Sequence, residues 1–350
     1  MSRVKLPGLV DVHTHMRVPG GEQKEDFATG TAAALAGGVV AVLAMPNTAP
    51  AITTPTVLAE TYATAAATAR CDVGLFAGAS AEDVDHLPAL GERAVALKIY
   101  LNDTFGKLRV DDVPTLAACF KNWPRHKPIA LHAEKQSVAV SIGLAAIYDR
   151  PVHLCHISRQ EEIELIADAK MRGLKVTCEV CPHHLFLNRD DGEKLGPYGN
   201  MRPVLGTPED VKALWHHLND TVDCIATDHA PHTIAEKESS NPPGVPGVQT
   251  MLPLMLTAVR DGKLSLDRLV EMMATNPRRI YGLAEPADTW VEVDMDATFT
   301  VRNEDQLSRC GWTPFDGWEL TGRVEKVVLR GQTVFANGAV LAEPGSGQII

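Results

Sequence analysis

The sequence has 350 residues, of which 45% are hydrophobic, and a formal net charge of −11 from 33 basic and 44 acidic side chains. This length suits one barrel domain of about 250 residues plus a small appendage. The acidic balance argues against nucleic acid as the main partner, and no apolar run approaches the ~20 residues that a membrane helix needs. The N-terminal segment lacks a signal-peptide pattern, so we expect a cytoplasmic protein without a membrane partner.

Short apolar runs rich in β-branched residues alternate with longer Ala-rich helical runs along most of the chain. We predict strands at Leu9–His15, Val39–Asn47, Asp72–Ala79, Ala94–Leu101, Pro128–Glu134, Val152–Ser158, Val176–Pro182 and Asp223–Asp228. Helices are predicted between them, for example at Glu25–Ala36, Pro55–Ala69, Glu161–Arg172 and Pro208–Leu218. The strands are apolar nearly throughout, which is typical of a parallel sheet buried on both faces. Eight such repeats predict an α/β fold, a closed (β/α)8 TIM barrel, with an open doubly wound sheet as the structural alternative.

The chain changes character after two further helical segments, Leu252–Asp261 and Leu266–Ala274. Short strands with Gly-containing turns are predicted at Trp290–Val301 and Val324–Val340. We therefore expect a barrel at 1–285 and a small β-rich appendage at 286–350 packed on it. Because the first barrel strand begins near the N-terminus, this appendage should be built mostly from the C-terminal tail.

The seven cysteines are odd in number and irregularly spaced, which argues against a disulfide framework. Cys178 and Cys181 form a C-x-x-C pair within a strand-like segment. No second pair accompanies it for a zinc ribbon, and no redox helix follows it. We therefore expect ordinary buried cysteines at these two positions.

Polar side chains occur where the predicted strands end, which is where barrel enzymes build their active sites. These are His13, His15, Arg17, Asn47, Lys98, His132, Glu134, Cys155, His156, Glu179, Asp228 and His232. Each of them alone is more often a hydrogen-bonded rim residue, or a surface residue in the case of a lysine. Their joint occurrence is hard to explain by packing, because buried charges are costly unless they are paired or bind a metal.

Histidines at the strand ends indicate a metal site. His13 and His15 lie two apart on one strand, so both rings project from the same face and can bind a divalent ion, typically Zn²⁺. His132 and His156 would bind a second ion. Lys98 lies inside an apolar strand, where a carbamate formed with CO2 would bridge the two ions. An ammonium that binds an anion or reaches solvent is the alternative, and the sequence leaves both open.

Asp228 would complete the first metal site and handle protons. Two metal ions would lower the pKa of a bridging water, which supplies a hydroxide nucleophile, and would polarise a carbonyl group. An aspartate within hydrogen-bond reach would take the proton of that hydroxide during attack. The same carboxyl group would then deliver the proton to a leaving amide nitrogen.

These residues stand in segments that resemble the amidohydrolase superfamily, and within it the dihydroorotases. The likeness is strongest to the dihydroorotase domain of the animal multifunctional pyrimidine-synthesis proteins. The segments include LPGLVDVHTHMR (6–17), AMPNT (44–48), LKIYLNDTF (97–105), CHIS (155–158), TCEVCPHHLFL (177–187), TDHAPHT (227–233) and PPGVPGVQTMLPL (242–254). The resemblance implies reversible zinc-dependent cyclisation of N-carbamoyl-L-aspartate to L-dihydroorotate in de novo pyrimidine (UMP) biosynthesis.

The resemblance also implies individual residue roles. Two Zn²⁺ ions would be held by His13, His15, Lys98 as the carbamate, His132, His156 and Asp228, with Asp228 as general acid/base. The substrate would be bound by Arg17, Asn47 and His232 and by groups near Arg202, Pro243 and Gly244. Thr104 and Phe105 would belong to a loop that closes over the substrate. Cys155, Glu179 and His232 resemble residues around a third metal ion, although Cys155 and Glu179 could instead support the ligand histidines.

Two other functions fit parts of this pattern. Dihydropyrimidinases, hydantoinases and allantoinases share the first metal motif, but Arg17 and Asn47 favour a substrate that carries a carboxylate. A non-catalytic dihydroorotase-like scaffold domain is the second alternative, and the complete set of metal-ligand positions argues against it. By analogy we expect a homodimer, with aspartate transcarbamoylase or a multienzyme protein as a further partner.

Overall fold

The computed structural model of the chain describes residues 3–103 and 108–350. Its strands are β1 (Arg3–Pro7), β2 (Leu9–Thr14), β3 (Val39–Ala44), β4 (Asp72–Gly78), β5 (Ala96–Tyr100), β6 (Ile129–His132), β7 (Val152–Leu154), β8 (Val176–Val180), β9 (Cys224–Ile225), β10 (Trp290–Thr300), β11 (Glu319–Leu329), β12 (Gln332–Ala336) and β13 (Ala339–Val340). Strands β2 to β9 form a parallel eight-stranded sheet in sequential order. The backbone N–H of His15 donates to the carbonyl of His229 at 2.7 Å, and Thr14 pairs with His229 in parallel. This pairing joins the two ends of the sheet, so the predicted TIM barrel is confirmed.

The helices lie between the barrel strands and after them. They are α1 (Phe27–Ala36), α2 (Pro55–Thr68), α3 (Leu87–Arg93), α4 (Val113–Asn122), α5 (Gln136–Tyr148), α6 (Gln160–Met171), α7 (Pro182–Phe186), α8 (Arg189–Leu195), α9 (Pro208–His217), α10 (Ile234–Ser239), α11 (Met251–Arg260), α12 (Leu266–Val270) and α13 (Asn276–Tyr281). Several begin at a side chain that accepts a backbone N–H of the first turn, as Asp26 does for α1 and Asp112 for α4. A π-helical turn at Glu271–Thr275 joins α12 to α13. Within the two described segments, no helix is both long and apolar enough to cross a lipid bilayer.

Alternation along the strands divides the core into two layers. Residues such as Leu9 and Leu97 face the helices, whereas Val10 and Ala96 belong to a cluster that fills the barrel interior. Successive side chains of a strand point to opposite faces. Lys98 therefore shares the inward direction of Ala96, and a polar side chain enters the barrel from a strand that is otherwise apolar.

The remaining strands form an antiparallel five-stranded sheet in the order β1-β10-β11-β12-β13. The predicted turns are confirmed, with Arg330 at φ 52° and Asn337 at φ 51° before their glycines. The N-terminal segment, which we did not expect in this sheet, contributes β1, whose residues pair with β10 from Arg3↔Asp294 onwards. It can do so because β1 precedes β2 by only Gly8. The division of the chain at residues 285 and 286 stays a prediction.

An ion pair connects the small sheet to the barrel. Both guanidinium Nη atoms of Arg330 lie 2.8 Å from the Asp72 carboxylate, which is 2% exposed and also accepts the N–H of Gln348. Arg330→Ala is expected to lower the free energy of unfolding by about 2 kcal/mol, because a buried carboxylate loses its charge-assisted partner. Chemical denaturation measures this change. Arg302→Ala, at an exposed position of the same appendage, is the control, and equal losses in both variants would contradict the expected role.

Candidate metal centre and active-site cavity

Several candidate residues follow strands that end earlier than the sequence predicts. β7 ends at Leu154 and β9 at Ile225, so the segments beyond them are free to turn into the barrel mouth. His156 and Asp228 lie in these segments and have φ values of 36° and 45°, and Arg17 after β2 has φ 59°. Non-glycine residues rarely adopt this left-handed conformation, and such strained positions cluster at functional sites.

The first donor group consists of His13, His15 and Asp228, whose ligand atoms lie within 4.8 Å of one another. The Oδ1 atom of Asp228 is 2.8 Å from His15 Nε2 and 3.2 Å from His13 Nε2. The opposite ring nitrogens are also held, since His15 Nδ1 is 2.8 Å from Asn47 Oδ1 and His13 Nδ1 bonds to the Glu179 carboxylate. Such outer contacts fix the orientation and tautomer of a metal-binding histidine.

The charges of this group favour a cation. Burial by itself raises the pKa of Asp228, but His13 and His15 outweigh it and hold that pKa well below its usual range. Burial lowers the pKa of His13, yet the carboxylates of Glu179 and Asp228 raise it to about 10. Burial lowers the pKa of His15 to about 4, so this ring is neutral and keeps a lone pair. The two buried carboxylates therefore create a negative potential beside a neutral imidazole.

The second donor group lies next to the first. His132 Nδ1 is 2.9 Å from His156 Nε2, and the ring centroids of His13 and His156 are 5.2 Å apart. Burial lowers the pKa of both His132 and His156. Among the described residues, Nδ1 of His156 is buried without a hydrogen-bond partner. Two neutral imidazoles that face each other in this way offer lone pairs to a cation.

Lys98 is fully buried between the two donor groups and the barrel interior. Its Nζ contacts the Cys155 sulfur at 2.8 Å and lies 5.2 Å from the centre of the Tyr100 ring. Burial is the largest cause that lowers the pKa of His132 and His156, and the charge of Lys98 is a further cause. The structure thus brings all six predicted metal ligands together at the C-terminal ends of the barrel strands.

A small cavity opens beside these donors. It is lined by His13, His15, Arg17, Asn47, Tyr100, His132, His156, Arg202, Asp228, Ala230, Pro243 and Gly244. The lining therefore includes five of the six predicted substrate-binding residues. Arg17 is 7% exposed, and burial lowers its pKa to about 10, so the guanidinium stays charged at neutral pH.

His232, the sixth predicted substrate-binding residue, lies behind Arg17 rather than in the cavity lining. Its Nε2 is 3.1 Å from Arg17 Nη2 and 3.2 Å from the Pro243 carbonyl, and Lys24 Nζ is 3.4 Å from its Nδ1. Burial, followed by the charges of Arg17 and Lys24, lowers the pKa of His232 to about 2, so the ring is neutral. In this arrangement His232 positions the guanidinium of Arg17.

The residues predicted for a third metal ion are only partly brought together. Cys155 and Glu179 have ligand atoms within 4.8 Å of each other and of His13, and across the described ranges His232 does not join this group. Thr104 and Phe105, predicted for the closing loop, lie outside the described residues.

Two residues of this site were not predicted from the sequence. Tyr100 lines the cavity, and His153 Nε2 bonds to Glu179 Oε2 at 3.0 Å. The spacing of Tyr100, two residues after Lys98 on one strand, was the available signal for the first of them. Strand parity set His153 apart from His156, but β7 ends at Leu154, so the alternation does not extend to His156.

Comparisons with known proteins show to which family the chain is similar. Residues 2–106 match the family described as Dihydro-orotase-like. "Multifunctional protein CAD" of Squalus acanthias is 53% identical over 347 residues, which are 99% of this chain and 15% of that protein's length. A "Dihydroorotase" of Pyrococcus furiosus is 33% identical over 362 residues, which are 99% of this chain and 85% of that protein.

Solved structures with the same fold include a protein named as an enzyme and a domain described as inactive. An L-hydantoinase (dihydropyrimidinase) from Arthrobacter aurescens has a TM-score of 0.93 at 25% identity, covering 99% of this chain and 88% of that one. The "inactive dihydroorotase-like domain" of a Chaetomium thermophilum CAD-like multifunctional protein has a TM-score of 0.87 at 28% identity, with 100% of both chains covered.

The barrel and these similarities are those of the amidohydrolase class of TIM-barrel proteins. Among these proteins, the chain belongs to the dihydroorotase family, as its identity to the Pyrococcus furiosus protein over nearly the whole of both sequences shows.

Proposed function

We propose that this chain is a zinc-dependent dihydroorotase that interconverts N-carbamoyl-L-aspartate and L-dihydroorotate in de novo pyrimidine biosynthesis. The observation that carries the proposal is the meeting of two donor groups with an arginine-lined cavity at the barrel mouth. The name of the Pyrococcus furiosus relative supports the substrate. The first experiment measures turnover of L-dihydroorotate and dihydrouracil on one sample together with its bound zinc. Zinc without dihydroorotate turnover would contradict the proposal.

The donor set fits two Zn²⁺ ions. His13, His15 and Asp228 offer two imidazoles and a carboxylate within 4.8 Å, a typical zinc ligand set. The unpartnered buried Nδ1 of His156 and the neighbouring His132 fit a second ion. When bound, such ions would lower the pKa of a water and polarise the substrate carbonyl.

The surroundings of Lys98 support the carbamate hypothesis over the ammonium. Its Nζ is fully buried beside a thiol and imidazoles, and among the described residues it forms no ion pair with a carboxylate. A buried, unpaired ammonium is costly. Reaction of the ammonium group with CO2 forms an N–C bond, releases two protons and replaces the cation by an anion with two oxygens. That anion would join the two donor groups.

Asp228 is proposed as the group that moves the proton. Its carboxylate is ionised and lies at the cavity wall, held by His15 and His13. In hydrolysis it takes a proton from the attacking water and delivers it to the ring nitrogen as the C–N bond breaks. Cyclisation runs in reverse and consumes one proton, because a dianion becomes a monoanion. Lower pH should therefore favour cyclisation, and higher pH should favour hydrolysis.

Arg17 is proposed to bind the substrate carboxylate, supported by its position in the cavity lining and by the fixed contact of its Nε with the Pro231 carbonyl at 3.1 Å. Arg17→Ala is expected to raise KM for dihydroorotate about 10- to 100-fold with a smaller change in kcat, because a charge-assisted pair is lost. Steady-state kinetics check this. Arg189→Ala, at an exposed position on α8, is the control. An unchanged KM, with dihydrouracil accepted equally well, would show that Arg17 does not read the carboxylate.

Two alternatives have a specific observation in their favour. The likeness to an L-hydantoinase favours a neutral cyclic-amide substrate, and the likeness to an inactive domain favours a scaffold role. The buried Arg17 guanidinium in the cavity supports a carboxylate substrate against the first alternative. The six donor positions, all buried, support catalysis against the second.

Assembly and loop closure complete the proposal. Since the chain corresponds to 15% of a multifunctional relative, we propose a multienzyme partner such as aspartate transcarbamoylase, and a homodimer by analogy with the family. Thr104 and Phe105 are proposed to close over the substrate.

A third ion at Cys155, Glu179 and His232 would require His232 to leave Arg17, so His13 is the better third donor in our proposal.

A further inference from the structure

A further cluster of side chains that could bind a metal ion lies just beyond the end of β8. Cys181 precedes α7, and His183 and His184 are in its first turn. One ligand atom from each of these residues lies within 4.8 Å of the others. All three side chains are buried, with His183 2% and His184 1% exposed. None of them belongs to the two donor groups at the cavity.

The hydrogen bonds of His184 determine which of its nitrogens is available. Its Nε2 is 3.0 Å from the Pro203 carbonyl oxygen, which only accepts, so Nε2 carries the proton and donates. The lone pair therefore lies on Nδ1. Within the described part of the chain, Nδ1 of His184 is buried without a hydrogen-bond partner. A ring that donates to a backbone carbonyl and leaves its other nitrogen bare is in the state of a metal-binding histidine.

His183, the preceding residue, also has a buried ring nitrogen without a hydrogen-bond partner among the described residues. This nitrogen is Nε2, and the ring centroid of His183 is 4.3 Å from that of His184. Burial lowers the pKa of both rings, to about 4 for His184, so neither carries a charge. Buried nitrogens without partners on two neighbouring residues are unfavourable unless something binds them.

We propose that Cys181, His183 and His184 bind a Zn²⁺ ion at a site separate from the cavity. One thiolate and two imidazoles are ligands that zinc prefers, and they leave a fourth tetrahedral position for water or another donor. Binding breaks the S–H bond of Cys181, and the proton leaves to solvent as the sulfur–metal bond forms. This inference does not rest on the proposed activity.

Cys178, the other member of the C-x-x-C pair, is not part of this site. Its sulfur lies 3.7 Å from the Thr221 carbonyl and it is absent from the cluster. Residues three apart on an extended strand point to opposite faces, which separates the two thiols. Cys178 is also fully buried, so it offers a matched control for Cys181.

The test counts metal ions and reads the sulfur–metal bond directly. Cys155→Ser serves as the parent protein, because the Cys155 thiol lies in another potential metal cluster. The parent, and the same protein with Cys181→Ser or Cys178→Ser, is stripped with a chelator and equilibrated with Co²⁺ as a stand-in for Zn²⁺. Bound cobalt is counted by mass spectrometry, and the thiolate-to-cobalt charge-transfer band is recorded in the near ultraviolet.

We expect the parent and the Cys178→Ser protein to show the band and to hold one ion more than the Cys181→Ser protein, which lacks the band. Equal ion counts in all three proteins, or a parent without the band, would overturn the site. If circular dichroism shows that Cys181→Ser does not fold, His183→Gln is compared in the same way and should lose the same ion. Since the cavity donors contain no thiolate in this background, loss of dihydroorotase activity would leave this result unchanged.

Discussion

Asp228→Asn is expected to lower kcat for dihydroorotate hydrolysis by about 10³-fold while the protein stays folded. The carboxylate is replaced by an amide of the same shape that can neither take a proton from water nor return one to the ring nitrogen, and general acid–base catalysis is worth about 10²- to 10⁴-fold. The surrounding contacts with His13 and His15 involve one carboxylate oxygen, Oδ1, which the amide can retain. Single-turnover and steady-state rates, measured with bound zinc, check this result.

The control for this variant is Asp220→Asn, whose side chain is 69% exposed at the other end of the last barrel strand. It should keep the rate of the unchanged protein. A rate for Asp228→Asn within about threefold of the unchanged enzyme, at equal zinc content, would show that another group moves the proton. The pH dependence of the rate gives a second test. If Asp228 is the base, the change in rate that follows its ionisation should be absent from Asp228→Asn.

Lys98→Ala is expected to remove one of the two proposed zinc ions and to lower kcat/KM by at least about 10³-fold. The side chain is the only predicted ligand that both donor groups would share, and its burial leaves water poorly placed to replace it. Mass spectrometry of the equilibrated protein counts the zinc. In the unchanged protein, ¹³CO2 should produce a carbamate signal in the ¹³C NMR spectrum.

Chemical rescue distinguishes the carbamate from the ammonium. Acetate added to Lys98→Ala would supply a bridging carboxylate and should restore part of the zinc and of the rate, whereas ethylammonium should not. Rescue by ethylammonium alone would contradict the carbamate and establish a cationic role. Lys121→Ala, at an exposed position on α4, controls for the loss of a lysine elsewhere.

The two variants together also test the scaffold alternative. A non-catalytic scaffold domain would show no turnover of dihydroorotate. Neither Asp228→Asn nor Lys98→Ala could then lower a rate. The inactive domain from Chaetomium thermophilum shows that this fold exists without activity. Turnover in the unchanged protein and its loss in both variants would therefore decide between the two functions.

The amino-acid sequence was sufficient to predict the barrel and to place the candidate donor residues at the ends of its strands. Both depend on local periodicity, because apolar runs of strand length identify parallel strands and residues at their ends must meet at one mouth of the barrel. His13 and His15, two apart on β2, could be placed on one face from spacing alone. The turns before Gly331 and Gly338 were equally local features.

Only the tertiary structure decided where the loop residues point and which distant strands contact each other. His232 follows Asp228 by four residues, yet it turns behind Arg17, because the Pro243 carbonyl and Lys24 hold it there. The bond between His13 and Glu179 joins β2 to β8, two strands that are not neighbours in the sheet. The pairing of β1 with β10 also depends on contacts between distant segments. The same is true of the burial of the His183 and His184 ring nitrogens without partners among the described residues. Sequence spacing determines the direction of a side chain within one strand, whereas contacts between distant segments depend on how the whole barrel closes.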